Sequence, residues 1–172
     1  MKKQKQKAPQ KSEIDILFDK YTASHQNPVN KIINWISVPL VVFAVLGLAY
    51  DVPFPHLGFL GQYNAYINWD SLVIAFSVYF YMRISPLLSY IMLILEFLMG
   101  YGVLEIDNWQ KANGPNLVDI CFLLLFVCFI AQYIGQKIEK KPYSLINSAK
   151  FQFYAPIWLL SLVLKRFSVK YK

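Results

Sequence analysis

Residues 32–50 form a run of 19 without a single charged side chain. That is close to the ~20 residues a helix needs to cross ~30 Å of hydrocarbon. A chain carrying such a run folds either within a bilayer or around an unusually apolar core, and its composition decides which. Of 172 residues, 56% are hydrophobic and only 16% are charged, whereas a soluble domain is nearer half apolar and a quarter charged. Further apolar runs follow at 71–82, 87–104, 117–135 and 151–164. The run at 71–82 is short for a full span, so it is expected to reach back to Tyr66 or to be shielded by protein. The run at 151–164 contains Pro156 and is also short, a length at which segments re-enter or lie in the interface. The expected fold is therefore an all-α integral membrane protein. It has four transmembrane helices, an N-terminal amphipathic helix and a C-terminal re-entrant or interfacial hairpin. Residues 12–172 form a single membrane domain behind a disordered basic tail at 1–11.

The net charge of +7 does not point to nucleic acid, because the basic residues gather at the two ends and in one loop. With four crossings, sixteen of the seventeen Lys and Arg residues fall on one side and only Lys111 falls on the other. The positive-inside rule places that side, with both termini, in the cytoplasm. The membrane would be the bacterial inner membrane or the endoplasmic reticulum, with membrane lipids as the immediate partners.

Along the chain, Ser12 and Asp15 resemble a capping box. Ile14, Leu17, Phe18 and Tyr21 then repeat at helical spacing, giving an amphipathic helix. It should stop near Asn27-Pro28, since the residue before proline avoids the helical region. Pro39 predicts a kink or a late start in the first span. Asp70 is expected to cap the second apolar helix, and Arg83, Ser85 and Pro86 to form a tight turn. Residues 105–116 read as a polar loop ending in the turn signal Asn113-Gly114-Pro115. Glu96, in mid-helix, should face the bundle interior, either as a protonated acid hydrogen-bonded to Ser, Tyr or Asn or as a proton-handling or ion-binding group. Cys121 and Cys128 are seven apart, about 10 Å along a helix, too far for a disulfide, and read as small buried apolar residues.

Two polar groups stand out. His25, Asn27, Asn30 and Asn34 lie at the mouth of the first span, and Asn30 and Asn34 share a helical face. Gln132, Gln136 and Glu139 share a face at the end of the fourth span. If those helices are neighbours, the two sets meet in one polar pocket. The alternative is an amide cluster that only fixes helix packing.

Three motifs then carry a resemblance. They are Ser-His-Gln-Asn-Pro-Val-Asn-x-x-Ile-Asn-Trp-Ile-x-Val-Pro at 24–39, Gln-Tyr-Ile-Gly-Gln-Lys-Ile-Glu at 132–139 with Pro142 beyond, and Phe-x-x-x-Ala-Pro-Ile-Trp-Leu-Leu at 151–160. Together they resemble the small membrane family of the fungal 2-hydroxy-fatty-acid dioxygenase, whose bacterial members were long called a domain of unknown function. The likeness runs from about residue 17 to 168. It implies an iron(II)-dependent enzyme that removes one carbon from a long-chain 2-hydroxy fatty acid by alpha-oxidation, as in phytosphingosine breakdown. On this resemblance His25, Asn34 and Gln136 stand at the metal, and His25, Asn30 and Glu139 at the reacting substrate. The family pattern has histidines where this chain has Asn34 and Gln136, and amides are weak iron(II) ligands. Glu139, or less readily Asp19, would have to add a carboxylate. The other histidine, His56, falls in the first loop on the opposite side. Hence two readings of different class stand together: a 2-hydroxy-fatty-acid oxygenase, and a metal-free family member that binds lipid or a partner.

Overall fold

Capping side chains set where four of the helices begin. The Asn27 side chain accepts a hydrogen bond from Val29 N and Pro28 takes the first helical position, where its missing N–H costs nothing. Helix α2 therefore runs Pro28–Asp51, 24 residues, with Pro39 inside it. It follows α1, Glu13–Ser24. Asn68 and Ser71 form a reciprocal capping box that starts α3, Trp69–Met82. The Ser85 hydroxyl caps α4, Pro86–Lys111, again with proline at the start. The Asn116 side chain accepts from Val118 N and Asp119 N to open α5, Leu117–Ile138. The last helix, α6, is Leu145–Arg166. A 3-10 segment, Gly58–Tyr66, breaks at Gly61 with φ 50°, a conformation glycine adopts without steric cost. This computed structural model describes residues 13–139 and 145–169. The basic tail and the Ser12 cap lie outside them.

Helices α2, α4 and α5 are each long and apolar enough to cross a membrane. At 1.5 Å per residue their 24, 26 and 22 residues reach ~33–39 Å. Their outward faces carry residues such as Ile94, Leu98, Phe122, Leu123 and Phe126, all more than half exposed. An apolar surface of that extent is what hydrocarbon solvates and water does not. The chain is a helical membrane protein.

α2 packs most extensively on α5, and α3 pairs with α4. Small residues bring α2 and α5 together at both ends of their contact. A Cβ at Gly47 would stand 2.5 Å from Cys121 Sγ, and one at Gly135 would collide with the Asn30 side-chain oxygen. Close approach of this kind substitutes for the hydrophobic drive that is missing in lipid. The buried apolar residues form two clusters. Ala44, Leu46, Ile74, Val103, Leu117 and Cys121 fill the half where α2 ends. Phe18, Val38, Tyr81, Leu88 and Met92, with Ala155, Ile157, Trp158 and Leu159 of α6, fill the half where α2 begins. The described part of α6 thus packs at that end of the bundle only.

Several expectations need correction. Among the described residues three helices, not four, are long and apolar enough to span, and α3 falls short with 14 residues. It starts at Trp69 instead of reaching back to Tyr66, and its cap is Asn68, whose side chain accepts from the Ser71 N–H, while Asp70 lies inside the first turn. Residues 105–111 continue α4 and are not loop; Lys111 pairs with Asp107 at 2.7 Å, an i,i+4 contact that supports the added turns. Pro39 lies within α2, which begins four residues before the apolar run. Instead of a hairpin, α6 is one continuous helix of 22 residues that passes through Pro156. The Asn113 turn is present, with φ 70°. Both cysteines are free and buried.

Candidate functional site

The close approach of α2 and α5 at Gly135 places the two polar groups together. Glu139, the residue that closes α5, accepts on Oε1 from Asn27 N at 2.8 Å and from Asn30 Nδ2 at 3.1 Å. Asn34 Nδ2 in turn donates to Asn30 Oδ1 and to Asn30 O, both at 2.9 Å. Asn30 is wholly buried and Asn34 nearly so. One turn deeper, Gln132 Nε2 donates to Ser37 Oγ at 3.1 Å, and Gln152 of α6 donates to Gln132 Oε1. Gln136 sits half-buried between Gln132 and Glu139 on the same face of α5. Two hydrogen-bonded groups, one of Asn27, Asn30, Asn34 and Glu139 and one of Ser37, Gln132 and Gln152, thus link α2 to α5 and α6.

His25 approaches this end of α2 from the α1–α2 link. It is buried, with Nδ1 2.9 Å from Tyr21 O and 3.1 Å from Ser24 Oγ. A carbonyl can only accept, so that bond requires a proton on Nδ1, which in the neutral imidazole leaves the lone pair on Nε2. The imidazole leans on Trp158 of α6, ring centroids 5.2 Å apart, and Trp158 Nε1 donates to Thr22 Oγ1 at 3.2 Å. Burial, and to a lesser extent neighbouring Tyr154, pushes the Tyr21 hydroxyl up to about 12, so it stays neutral beside His25 at ordinary pH. α1 and α6 therefore fix the histidine from two sides.

The site residues named from the sequence thus share one end of the bundle. His56 lies in the exposed link beyond the far end of α2, and Asp19 is on the exposed side of α1. Sequence reasoning missed Ser37, Gln152, Thr22 and Trp158. Ser37 had a signal, since it stands three and seven residues after Asn34 and Asn30 on the same face. The other three come from α1 and α6, whose docking no local spacing reveals. Away from this cluster, Glu96 is buried in mid-α4, and both its carboxylate oxygens accept from Ser77 Oγ, at 2.7 and 2.6 Å. It faces the bundle interior, as its depth requires.

The donor set does not fit an iron(II) centre of the two-histidine, one-carboxylate kind. It offers one imidazole, one carboxylate whose Oε1 already accepts two N–H groups, and amides at positions 34 and 136. Of the buried amide oxygens, Asn30 Oδ1 already accepts from Asn34 Nδ2. Among the described residues, no three His, Cys, Asp or Glu side chains converge as a metal would need.

The fold and this cluster define a small helical membrane protein with a hydrogen-bonded polar core at one end of its bundle. The chain belongs to the 2-hydroxy-palmitic acid dioxygenase Mpo1-like family, whose model matches residues 12–167. No curated protein and no solved structure gives a match.

Proposed function

We propose that this chain is a metal-free member of its family, a lipid-binding membrane protein in which an amide network occupies the place of a metal centre. The observation that carries this reading is the pairing of Asn34 with Asn30 and of Asn30 with Glu139. In this proposal Asn34, at the family's histidine position on α2, spends its amide N–H groups on Asn30, which in turn bonds Glu139 across the α2–α5 interface. Buried amides joined in this way stabilise helix packing and leave weak donors for a cation. The proposed topology has four passes, α3 being a short one that returns the chain from the far end of α2 to the start of α4. The termini and the basic residues at both ends lie in the cytoplasm, and α6 rests at the cytoplasmic interface.

A second reading draws on the family match: iron(II)-dependent oxidation of a long-chain 2-hydroxy fatty acid. His25 would then bind the metal through Nε2 with Asn34 and Gln136, while Asn30 and Glu139 would hold the hydroxy-acid head. Iron(II) would supply oxygen activation.

Iron content after anaerobic reconstitution of the purified chain separates the two. The proposal expects no stoichiometric iron in the native chain and newly acquired iron in the Asn34→His, Gln136→His double variant. Stoichiometric iron in the native chain, lost on His25→Ala and accompanied by oxygen consumption with 2-hydroxypalmitate, would overturn it in favour of the oxygenase.

A further inference from the structure

At the opposite end of the bundle from the amide network, α3 and α4 diverge around a cavity of about 480 Å³. That lies within the ~300–1,000 Å³ range of small-molecule sites. Its walls are Ile74, Ala75 and Val78 on α3 and Leu93, Phe97 and Leu104 on α4. Ala75, Phe97 and Leu104 are exposed, so the cavity opens sideways toward the lipid. Polar groups close its end: Tyr50, Asn68, Asp70 and Ser71.

Asp70 is the anomaly. Its side chain is only 8% exposed, and its Oδ1 has no hydrogen-bond partner among the described residues. A buried carboxylate oxygen without a partner is expensive. Three neighbouring donors are committed elsewhere. Tyr50 Oη donates to Asp107, Lys111 also pairs with Asp107, and Ser71 Oγ donates to Asn68 O. On the α4 side stands Gly100, whose missing side chain leaves the space beside Asp70 Oδ2 unfilled.

We propose that this groove binds a single-chain amphiphile whose head group, an ammonium or a hydroxyl, donates a hydrogen bond to Asp70 while its alkyl chain lies between α3 and α4. The apolar walls select the chain, and the carboxylate selects a donor head and rejects an anionic one. This site is separate from the amide network, so it stands whether or not that network holds iron.

The test is calorimetric titration of octylamine, octan-1-ol and octanoate into the full chain in lipid nanodiscs, against empty nanodiscs. The expected result is saturable one-site binding of octylamine or octanol, at least ~tenfold tighter than octanoate. A preference for the amine over the alcohol would identify a charged head, and equal binding a neutral donor; both support the site. Asp70→Asn should erase the preference over octanoate. Ala75→Phe, at an exposed position that leaves the core intact, should remove binding of all three probes, and it keeps the test decisive if the Asp70 variant does not fold. Binding of octanoate as tight as octylamine, an undiminished preference in Asp70→Asn, or no saturable binding above empty discs would overturn the proposal.

Discussion

Replacing Gly135 with alanine tests whether the polar core depends on close approach of α5 to α2. The new Cβ would collide with Asn30 Oδ1, lie 3.2 Å from Asn30 Cγ, and make only ordinary contact with Ile33 Cδ1 at 3.5 Å. Asn30 cannot swing away without cost, because it is wholly buried and tied to both Glu139 and Asn34. Overpacking at such a site costs about 1–3 kcal/mol, and each interhelical hydrogen bond strained with it adds ~0.6 kcal/mol. Against this stands the better helix propensity of alanine, up to ~1 kcal/mol. The net expectation is destabilisation of about 1–2 kcal/mol. The decisive comparison is the same substitution in an Asn30→Ala background, where the obstructing amide is gone and only the propensity gain remains. Gly135→Ala should there be neutral or slightly stabilising, a coupling of ~1–3 kcal/mol between the two positions. Reversible unfolding in SDS, followed by far-UV circular dichroism, measures all four members of the cycle. Equal cost of Gly135→Ala on both backgrounds would refute the reasoning, as would a gain in stability on the native one.

Other outcomes follow from the end where α1 and α6 meet. Trp158→Ala empties a site in the cluster shared by α1, α2, α3, α4 and α6 and should cost about 3–5 kcal/mol in the same unfolding assay. Trp158→Phe retains most of the packing and loses the bond to Thr22, so ~1 kcal/mol is expected. For Tyr21, the hydroxyl is raised to about 12 from an unfolded value of ~10. A raised folded value means the neutral form is favoured by folding. Its contribution is therefore fully present below pH ~10 and is lost as pH rises through about 12. A native-minus-Tyr21→Phe difference titration of tyrosine absorbance should show this transition well above pH 10; a midpoint at or below 10 would contradict the burial argument.

Much of the bundle was legible without coordinates. Apolar runs of sufficient length identified α2, α4 and α5, because hydrocarbon imposes one length and one solubility rule on every span. Proline and asparagine marked the joints at Asn27-Pro28, Ser85-Pro86 and Asn113-Gly114-Pro115, where local backbone chemistry decides alone. Periodicity likewise put Asn30 with Asn34 and Gln132 with Gln136 and Glu139, since helical geometry is the same in any fold. Where helices end was less visible, as the Asp107–Lys111 pair extending α4 and the Asn68 cap of α3 both show: polar residues can serve a loop or a helix terminus equally well.

What only the tertiary structure decided is which faces meet. Nothing local states that Gly135 admits Asn30, that Gln152 reaches Gln132, or that Trp158 supports His25, for these contacts join helices distant in sequence. Nor does local pattern show that Asp70, a sound capping residue by type, is buried beside an open groove with its oxygen unmatched. Spacing along one helix is set by the backbone, whereas the partner across an interface is set by how small and large side chains fit together. The α2–α5 contact therefore belongs to the fold as a whole.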